Sequence, residues 1–388
     1  MSRVGNGVYE ATLGLMVFSA GSAIAMSAVL VAFVAPQLAF TVKAGVLSDR
    51  VDRRRLVIAA DVIAALVAVG VAVLAHGNPN VELLIVLSLG IGTAAALFNP
   101  AYGPLLSNTV PGEQLARANG IDAAVTNAAS LAGPALGGWL YAVGGASLAI
   151  GANGASFLAA AACSSLLRLD PNRKRQPADA AVEDAPPDPG SAAAWRWIRT
   201  SGWVPPLLVL ALLMNLLVLG PFFVVLPWRV TDQHLPAIVL GMAVSVQAGA
   251  ALLGSIVLGR RPSARPGRRF AAVAAAFPAA IVVLLFVDGA LGVLLAAALV
   301  GLGMAAGVLE NLMLQTWVPD HLRGRVYSFD VLVSLGSIPA GYLSAGILIS
   351  GGVARAAGLI GAVVCLLAVL GVAASRLAHQ RLATDVTT

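Results

Sequence analysis

The stretch GVLSDRVDRRRL, residues 45–56, is a short charged turn between two long apolar runs. The run before it spans residues 25–45 and the run after it spans 56–75. Each is about as long as a membrane-crossing helix, which needs roughly 20 residues. A charged side chain at the centre of a bilayer costs about 2.5–3.5 kcal/mol, so the turn itself must lie outside the membrane. The stretch therefore predicts two membrane helices joined by a polar loop.

The composition of the whole chain agrees with this hairpin. Of 388 residues, 59% are apolar and 11% are charged, and the mean hydropathy is +0.89. Soluble domains carry roughly 25% charged residues. These values exclude a water-soluble globular protein, a disordered chain and a disulfide scaffold. Cys163 and Cys365 lie in separate apolar runs, and we expect both to be buried as small hydrophobic side chains.

Hydropathy predicts an all-α integral membrane protein with twelve transmembrane helices. They span residues 4–23, 25–45, 56–75, 81–101, 121–143, 147–167, 204–226, 237–258, 270–287, 290–312, 328–349 and 353–374. The predicted domains are a six-helix half at 1–167, a polar linker at 168–203, a second six-helix half at 204–375 and a tail at 376–388. The stretch Trp195-Arg196-Trp197 predicts a short interfacial helix at the end of the linker.

The basic residues are distributed unequally between the predicted loops. Of 24 Lys and Arg residues, all except Arg229 and Arg355 lie in the termini, in loops on one side of the membrane or, for Lys43, at the end of a helix on that same side. The positive-inside rule places that side, with both termini, in the cytoplasm. Basic clusters there face anionic lipid, and this accounts for the net charge of +6 better than nucleic-acid binding does.

The two predicted halves share a sequence pattern. Val110-Pro111 follows one helix and Val318-Pro319 follows another, and each pair precedes a leucine and an arginine. The two sites are 208 residues apart. This predicts two parallel six-helix repeats, an arrangement typical of transporters that work by alternating access.

The 45–56 stretch resembles the loop 2–3 signature of the major facilitator superfamily, Gly-x-Leu-Ala-Asp-Arg-x-Gly-Arg-Arg/Lys. Gly45, Asp49, Arg50 and Arg53 match, whereas Asp52 replaces the usual glycine. The Asp-Arg-x-Asp-Arg-Arg version resembles the macrolide-efflux and enterobactin-exporter-like branch of drug:proton antiporters. The likeness extends along the chain through FNPA at 98–101, LARAN at 115–119 and VPDHLRGRV at 318–326.

The resemblance implies a cytoplasmic gate formed by Gly45, Asp49, Arg50 and Arg53. Carboxylate–arginine hydrogen bonds that form in one state and break in another would make such a gate bistable. The alternative is that the arginines only anchor the topology. The first helix begins almost at residue 1, whereas relatives have about 20 residues more. We therefore expect helix 1 to be truncated, with the native N-terminus upstream of Met1.

Helix 5 carries Gly133, Pro134, Gly137 and Gly138. They resemble the core of the antiporter motif of proton-linked drug exporters, which implies export. Small residues four apart also let two helices approach closely, so plain packing is the alternative interpretation.

Two carboxylates within predicted helices are candidates for proton coupling. They are Glu10 in helix 1, the expected main coupling site, and Glu310 in helix 10, the second, because a buried carboxyl group takes up or releases a proton as its exposure changes. The alternatives are an ion pair of Glu10 with Arg3 and contact of Glu310 with the headgroup region. The other acidic residues near helix ends are interpreted as caps or interfacial charges; they are Asp61, Glu82, Asp122, Asp288 and Asp330.

In this superfamily helices 1, 4, 7 and 10 are implied to line a substrate cavity. The polar residues available on them are Asn6, Tyr9, Asn99, Tyr102, Asn215, Asn311 and Gln315. The resemblance implies proton-coupled efflux of amphipathic or hydrophobic, drug-like molecules by a monomer in the cytoplasmic membrane. No cofactor or metal is expected, and the proton gradient is the expected energy source. The alternatives are export of one metabolite, such as a siderophore or a self-made antibiotic, and a non-transporting sensor; enzymatic activity is not expected.

Overall fold

A computed structural model describes residues 3–20, 22–75, 80–110, 112–166, 190–260 and 265–375. Within these ranges the description leaves out the side chains at 3–4, 6–7, 10–11, 19–20, 41–50, 74, 104, 107–108, 112–113, 115–116 and 190–191. The described part is helical and has no strand, which confirms the all-α prediction.

The helices are α1 (Arg3–Ala20), α2 (Ala23–Arg50), α3 (Arg53–Leu74), α4 (Val81–Thr109), α5 (Gly112–Leu166), α6 (Gly190–Thr200), α7 (Val204–Met214), a π-helix (Asn215–Leu219), α8 (Gly220–Asp232), α9 (Ile238–Arg260), α10 (Pro266–Ala274), α11 (Ala276–Phe286), α12 (Gly289–Met304), α13 (Gly307–Trp317), α14 (Asp320–Ser350) and α15 (Ala354–Ala374). In the described part, ten helical segments are long and apolar enough to cross a membrane. One of them, Arg117–Leu166, is interrupted by non-helical backbone at Gly144 and Gly145. That break falls between predicted helices 5 and 6.

Several helices are longer than their apolar cores predict. α4 continues to Thr109 rather than 101, and α13 continues to Trp317 rather than 312. Both end at a valine before proline, Val110 and Val318, whose backbones are extended. A proline disfavours the helical conformation of the residue that precedes it, so the helix ends there and not where the polar residues begin. α14 likewise starts at Asp320, just after the second proline, rather than at 328.

The described residues group into two compact units. The first comprises those of Met1–Gln176 with Leu226–Ser245 and Ala345–Ser350, and the second comprises the rest. In the first unit, α1 and α3 pack on α5, and α4 packs on α2 and α3. Their contacts are formed by small side chains such as Ala60, Ala64 and Ala94, which are fully buried. Small residues let helix backbones approach closely, as in membrane helix bundles.

In the second unit, α11 packs on α12 and α15, α15 on α7, and α10 on α13. Large apolar side chains point outward in both units, as a lipid-facing surface requires; examples are Leu66, Leu253 and Ile360, each more than 60% exposed. Cys163 is exposed and Cys365 is buried, so the prediction of two buried cysteines is wrong for Cys163, which lies on the outer side of α5.

Arg229 also departs from its predicted place. It was assigned to a loop after helix 7, but α8 continues to Asp232 and buries the Arg229 side chain to 1% exposure. The guanidinium lies 3.9 Å from the Asp232 carboxylate and above the Trp228 ring. An ion pair and a cation–π contact offset part of the cost of burying the charge.

Candidate functional site

Two carboxylic acids of the second unit, Glu310 and Asp330, lie side by side. Glu310 is in the first turn of α13 and Asp330 is the eleventh residue of α14. Their carboxyl groups are close enough to share a hydrogen bond. Asp330 is 8% exposed, and Glu310 Oε1 and Asp330 Oδ1 are closed off from solvent and have no hydrogen-bond donor among the described residues. Two such groups repel when both are ionised and bond to each other when one holds a proton.

The interpretation of Asp330 as a helix cap is therefore wrong. Because α14 begins at Asp320, Asp330 lies about three turns inside the helix. A helix start placed just after Pro319 would have identified it as a residue inside α14 and not at its end. Asp61 is corrected in the same way, since it is fully buried within α3, eight residues after the first residue of that helix.

Asp122 is likewise part of a contact between helices and not a cap. The Tyr102 hydroxyl of α4 donates a hydrogen bond of 2.6 Å to Asp122 Oδ1 of α5. Tyr102 also stacks on Phe98 one turn earlier, with ring centroids 5.0 Å apart. The bond therefore joins two helices that are separate in the sequence.

Removing this bond is expected to weaken the first unit. We expect Tyr102→Phe to lower the free energy of unfolding by about 1.5–3 kcal/mol, the usual value for a hydrogen bond to a charged group. Thermal unfolding of the purified protein measures the change. Tyr141→Phe on α5 is the matched control, because the Tyr141 hydroxyl has no hydrogen bond within the described part of the chain. Additive effects of Tyr102→Phe and Asp122→Ala would contradict the assignment, since a shared bond can be lost only once.

The predicted substrate residues fall into two groups. The first unit contains Tyr9, Asn99 and Tyr102; Tyr9 is buried on α1 facing Ser88, and Asn99 is exposed. The second unit contains Asn215, Asn311 and Gln315, of which Asn311 and Gln315 are exposed on α13. The side chains of Asn6 and Glu10 lie outside the described residues. The assignment of all seven residues to a cavity stays a prediction.

Asn215 begins the π-helix between α7 and α8. Its side-chain amide donates a 2.8 Å hydrogen bond to the Ala211 carbonyl oxygen, one turn earlier. The π-helix ends at Gly220, where an added Cβ would lie 2.8 Å from both Asn215 O and Gly341 Cα. Glycine is therefore required at 220 for the wide turn to pack against α14. π-Helical turns occur frequently at functional sites.

In the loop at residues 45–56, the structure describes the side chains from residue 51 onward. Asp52, which replaces the family's glycine, is the N-cap of α3 and accepts a 2.8 Å hydrogen bond from the Arg54 backbone N–H. Arg54 Nε donates to the Ser164 carbonyl oxygen at 3.0 Å, and its Nη2 donates to that of Ser165. Arg54 therefore satisfies backbone carbonyls at the end of α5. Arg53 is half-buried, and the side chains of Gly45, Asp49 and Arg50 lie outside the described residues, so the gate stays a prediction.

The four residues of the antiporter-like motif are buried in α5. An added Cβ on Gly137 would lie 2.7 Å from Val8 Cα, on α1. On Gly138 it would lie 3.3 Å from Gly241 Cα, and on Gly241 it would overlap the Pro134 carbonyl oxygen. Within the first unit the motif is thus in backbone contact with α1 on one side and with the start of α9 on the other.

Comparison with known proteins identifies a family model and several relatives. The model of the Major Facilitator Superfamily matches residues 1–329. The multidrug efflux pump Tap of Mycolicibacterium fortuitum is 30% identical over 360 residues, covering 87% of this chain and 83% of that protein. Tap of Mycobacterium tuberculosis is 30% identical over 365 residues, covering 89% and 84%.

Solved structures share the fold at low identity. The nucleoside transporter NupG has a TM-score of 0.72 at 13% identity, covering 96% of each chain. A bacterial homologue of the iron transporter ferroportin, in its inward-facing state, has a TM-score of 0.71 at 16% identity, also covering 96% of each chain. With its ten apolar membrane-length segments, the chain is a multi-pass membrane protein. It belongs to the major facilitator superfamily of membrane transporters.

Proposed function

We propose that this protein exports amphipathic or hydrophobic, drug-like molecules across the cytoplasmic membrane in exchange for protons. The observation that carries the export of drugs is the 30% identity to Tap multidrug efflux pumps over most of both chains. The buried acid pair, Glu310 with Asp330, supports the coupling to protons. The energy source is then the proton gradient, with no cofactor.

The proposed architecture is twelve transmembrane helices in two parallel six-helix repeats, which work by alternating access. The break at Gly144–Gly145 supports it by dividing the 50-residue segment Arg117–Leu166 into two helices. The extended valines before Pro111 and Pro319 support the repeat, since each ends one helix and precedes the next. The distribution of basic residues supports cytoplasmic termini, and we assign the protein to the cell membrane as a monomer.

Proton coupling at the acid pair follows from its environment. When both carboxyl groups are ionised, their charges repel at short range in a medium of low dielectric constant. Binding one proton converts the repulsion into a hydrogen bond between them. A change in the spacing of α13 and α14 would alter how firmly that proton is held, which couples its uptake and release to conformation. Glu10 is the second proposed coupling carboxylate.

Substrate recognition is proposed for the polar side chains on helices 1, 4, 7 and 10. These include Tyr9 and Tyr102 in the first unit and Asn215 and Asn311 in the second. Aromatic and amide groups suit a cavity for amphipathic molecules, because they combine apolar contact with a few hydrogen bonds. The proposed cytoplasmic gate is the loop that contains Asp49 and Arg50.

Dye efflux tests this function directly. Cells without their own pumps, expressing the wild type at a matched level, are expected to export a fluorescent dye until a protonophore is added. Asp49→Asn is expected to be inactive, because it removes the carboxylate of the gate. Glu10→Gln is expected to abolish protonophore-sensitive efflux, whereas Glu82→Gln, at an exposed acid of α4, is expected to leave it unchanged.

Each contrary result has a definite meaning. Efflux that a protonophore does not affect would exclude proton coupling. Efflux that survives Glu10→Gln would remove Glu10 from the coupling site and leave the acid pair. An absence of efflux for a panel of dyes would favour export of one dedicated metabolite.

A further inference from the structure

The short helix α6 has two distinct faces. Ala194 and Ile198 are at most 1% exposed and form the inner face, with Trp197 half-buried beside them. The outer face consists of residues three or four apart that are exposed to the surroundings; they are Ala192, Trp195, Arg196, Arg199 and Thr200. A helix with an aromatic and basic face of this kind is typical of the boundary between membrane and water.

Aromatic contacts hold α6 against three helices. The Trp195 ring lies 5.6 Å from Phe329, in the third turn of α14. Trp203, at the start of α7, contacts Trp197 edge-on at 6.3 Å and Trp317, at the end of α13, at 5.3 Å. Because α7 begins and α13 ends here, α6 lies at the depth where membrane helices meet the aqueous phase.

The turn after α6 fixes the orientation of α6 relative to α7. The Ser201 hydroxyl donates to the Ile198 carbonyl oxygen at 2.8 Å and accepts from the Val204 backbone N–H at 3.3 Å. Gly202 has a φ of 69°, a conformation that favours glycine. The chain thus passes from α6 into α7 through one ordered turn, and the outer face of α6 has a defined orientation.

An open groove of about 460 Å³ lies on the outer face, and Trp195, Arg196 and Arg199 line it. In the part of the chain that the structure describes, no carboxylate lies within 4.0 Å of either guanidinium group. α6 itself contains two arginines and no acidic residue. The groove therefore presents two positive charges without a protein counterion from the described residues, next to an indole ring that is 48% exposed.

We propose that this groove binds the phosphate-containing headgroup of an anionic phospholipid. Arginine binds phosphate oxygens through paired N–H groups, and two guanidinium groups three residues apart can hold one headgroup. Tryptophan at a membrane interface contacts the apolar region below the headgroup. Cytoplasmic leaflets carry anionic lipid, and the basic loops place α6 on that side.

A soluble anion fits these observations less well than a lipid. The exposed Trp195 lies beside the arginines and adds apolar area that a free phosphate does not use. The acidic linker residues Glu183, Asp184 and Asp188 are the other possible occupants, because they immediately precede α6 in the sequence. Both alternatives are outcomes of the test.

The test is a titration of the purified full-length protein with phosphatidylglycerol or phosphatidylcholine, followed by native mass spectrometry. The wild type is expected to bind phosphatidylglycerol about 10- to 30-fold more tightly, the ratio expected for two basic side chains near anionic lipid. Arg196→Gln with Arg199→Gln is expected to reduce this preference to about twofold or less. The matched control, Arg268→Gln with Arg355→Gln, removes the same charge from exposed positions elsewhere and is expected to keep the preference.

Three results would overturn the proposal. The first is an equal loss of preference in the control, which would indicate a general effect of charge. The second is displacement of phosphatidylglycerol by millimolar inorganic phosphate, which would indicate a phosphate site. The third is a wild type without lipid preference that gains one when Glu183, Asp184 and Asp188 are neutralised, which would assign the groove to the linker. Arg196→Lys with Arg199→Lys keeps both charges but not the paired N–H groups, so it is expected to bind phosphatidylglycerol less tightly than the wild type and more tightly than the glutamine variant.

Discussion

Asp330→Asn is expected to stop proton-driven drug transport while leaving substrate exchange intact. With one carboxyl group of the pair replaced by an amide, Glu310 loses the neighbouring carboxyl group whose charge repels its own and with which it can share a proton. The expected fall in proton-driven accumulation is about 10- to 100-fold, the usual size of a coupling free energy between two sites. Inverted vesicles with an imposed pH gradient measure this accumulation. Counterflow of labelled against unlabelled drug, without a gradient, measures exchange.

The controls separate coupling from folding. Asp320→Asn removes an exposed carboxylate from the same helix, where it pairs with Arg323 at 2.5 Å, and exposed pairs contribute little. It is expected to behave as the wild type. Glu310→Gln is expected to match Asp330→Asn, since both destroy the same pair. Full proton-driven transport by either variant, or loss of exchange together with transport, would contradict coupling at this pair.

Gly137→Ala is expected to destabilise the protein, whereas Gly120→Ala on the same helix is expected to stabilise it slightly. The methyl group at 137 would lie 2.7 Å from Val8 Cα and 2.9 Å from the Val8 carbonyl oxygen. These are backbone atoms, which cannot relieve the contact by a change of rotamer as a side chain can. Overpacking of this kind costs about 1–3 kcal/mol. Gly120 has no neighbour within 4 Å among the residues that the structure describes, so alanine there gains about 0.5–1 kcal/mol by reducing the freedom of the unfolded chain.

Denaturation of the purified variants measures these free energies of unfolding. Gly241→Ala is expected to resemble Gly137→Ala, because its methyl group would overlap the Pro134 carbonyl oxygen. If Gly137→Ala and Gly120→Ala changed stability in the same direction, close backbone contact could not be the reason for glycine at 137. Retained stability with lost transport in Gly137→Ala would instead assign the motif to a conformational step.

Local chemistry explains what could be predicted from the sequence. The helical hairpin around residues 45–56, the break near Gly144 and the short helix at Trp195 follow from apolar length, glycine and amphipathic spacing, all of which are local. The ends of α4 and α13 could have been predicted more accurately, because proline acts on the residue before it. The apolar window alone placed them too early, since a helix continues beyond its membrane-buried part.

The contacts between helices could not be predicted in this way. Asp330 owes its environment to Glu310, twenty residues earlier on another helix, and Tyr102 and Asp122 are also twenty residues apart. Periodicity assigns a residue to a face of its own helix but does not identify the neighbour of that face. Asp52 can be recognised from the sequence as a departure from the family signature. Its role as the N-cap of α3 is seen only in the structure.

The π-helix at Asn215–Leu219 affects how insertions and deletions in this protein are to be interpreted. A π-turn contains one residue more than an α-turn, so a deletion within these five residues can restore regular helix without breaking the chain. In a regular α-helix a one-residue deletion would rotate everything that follows by about 100°. Here the loss of one residue and the return to the narrower α-turn offset each other, so Trp228 and Arg229 keep the side of the helix that they now occupy. In an alignment of related transporters, a single-residue gap here therefore marks the loss of the wide turn and leaves the residues beyond it facing the same partners.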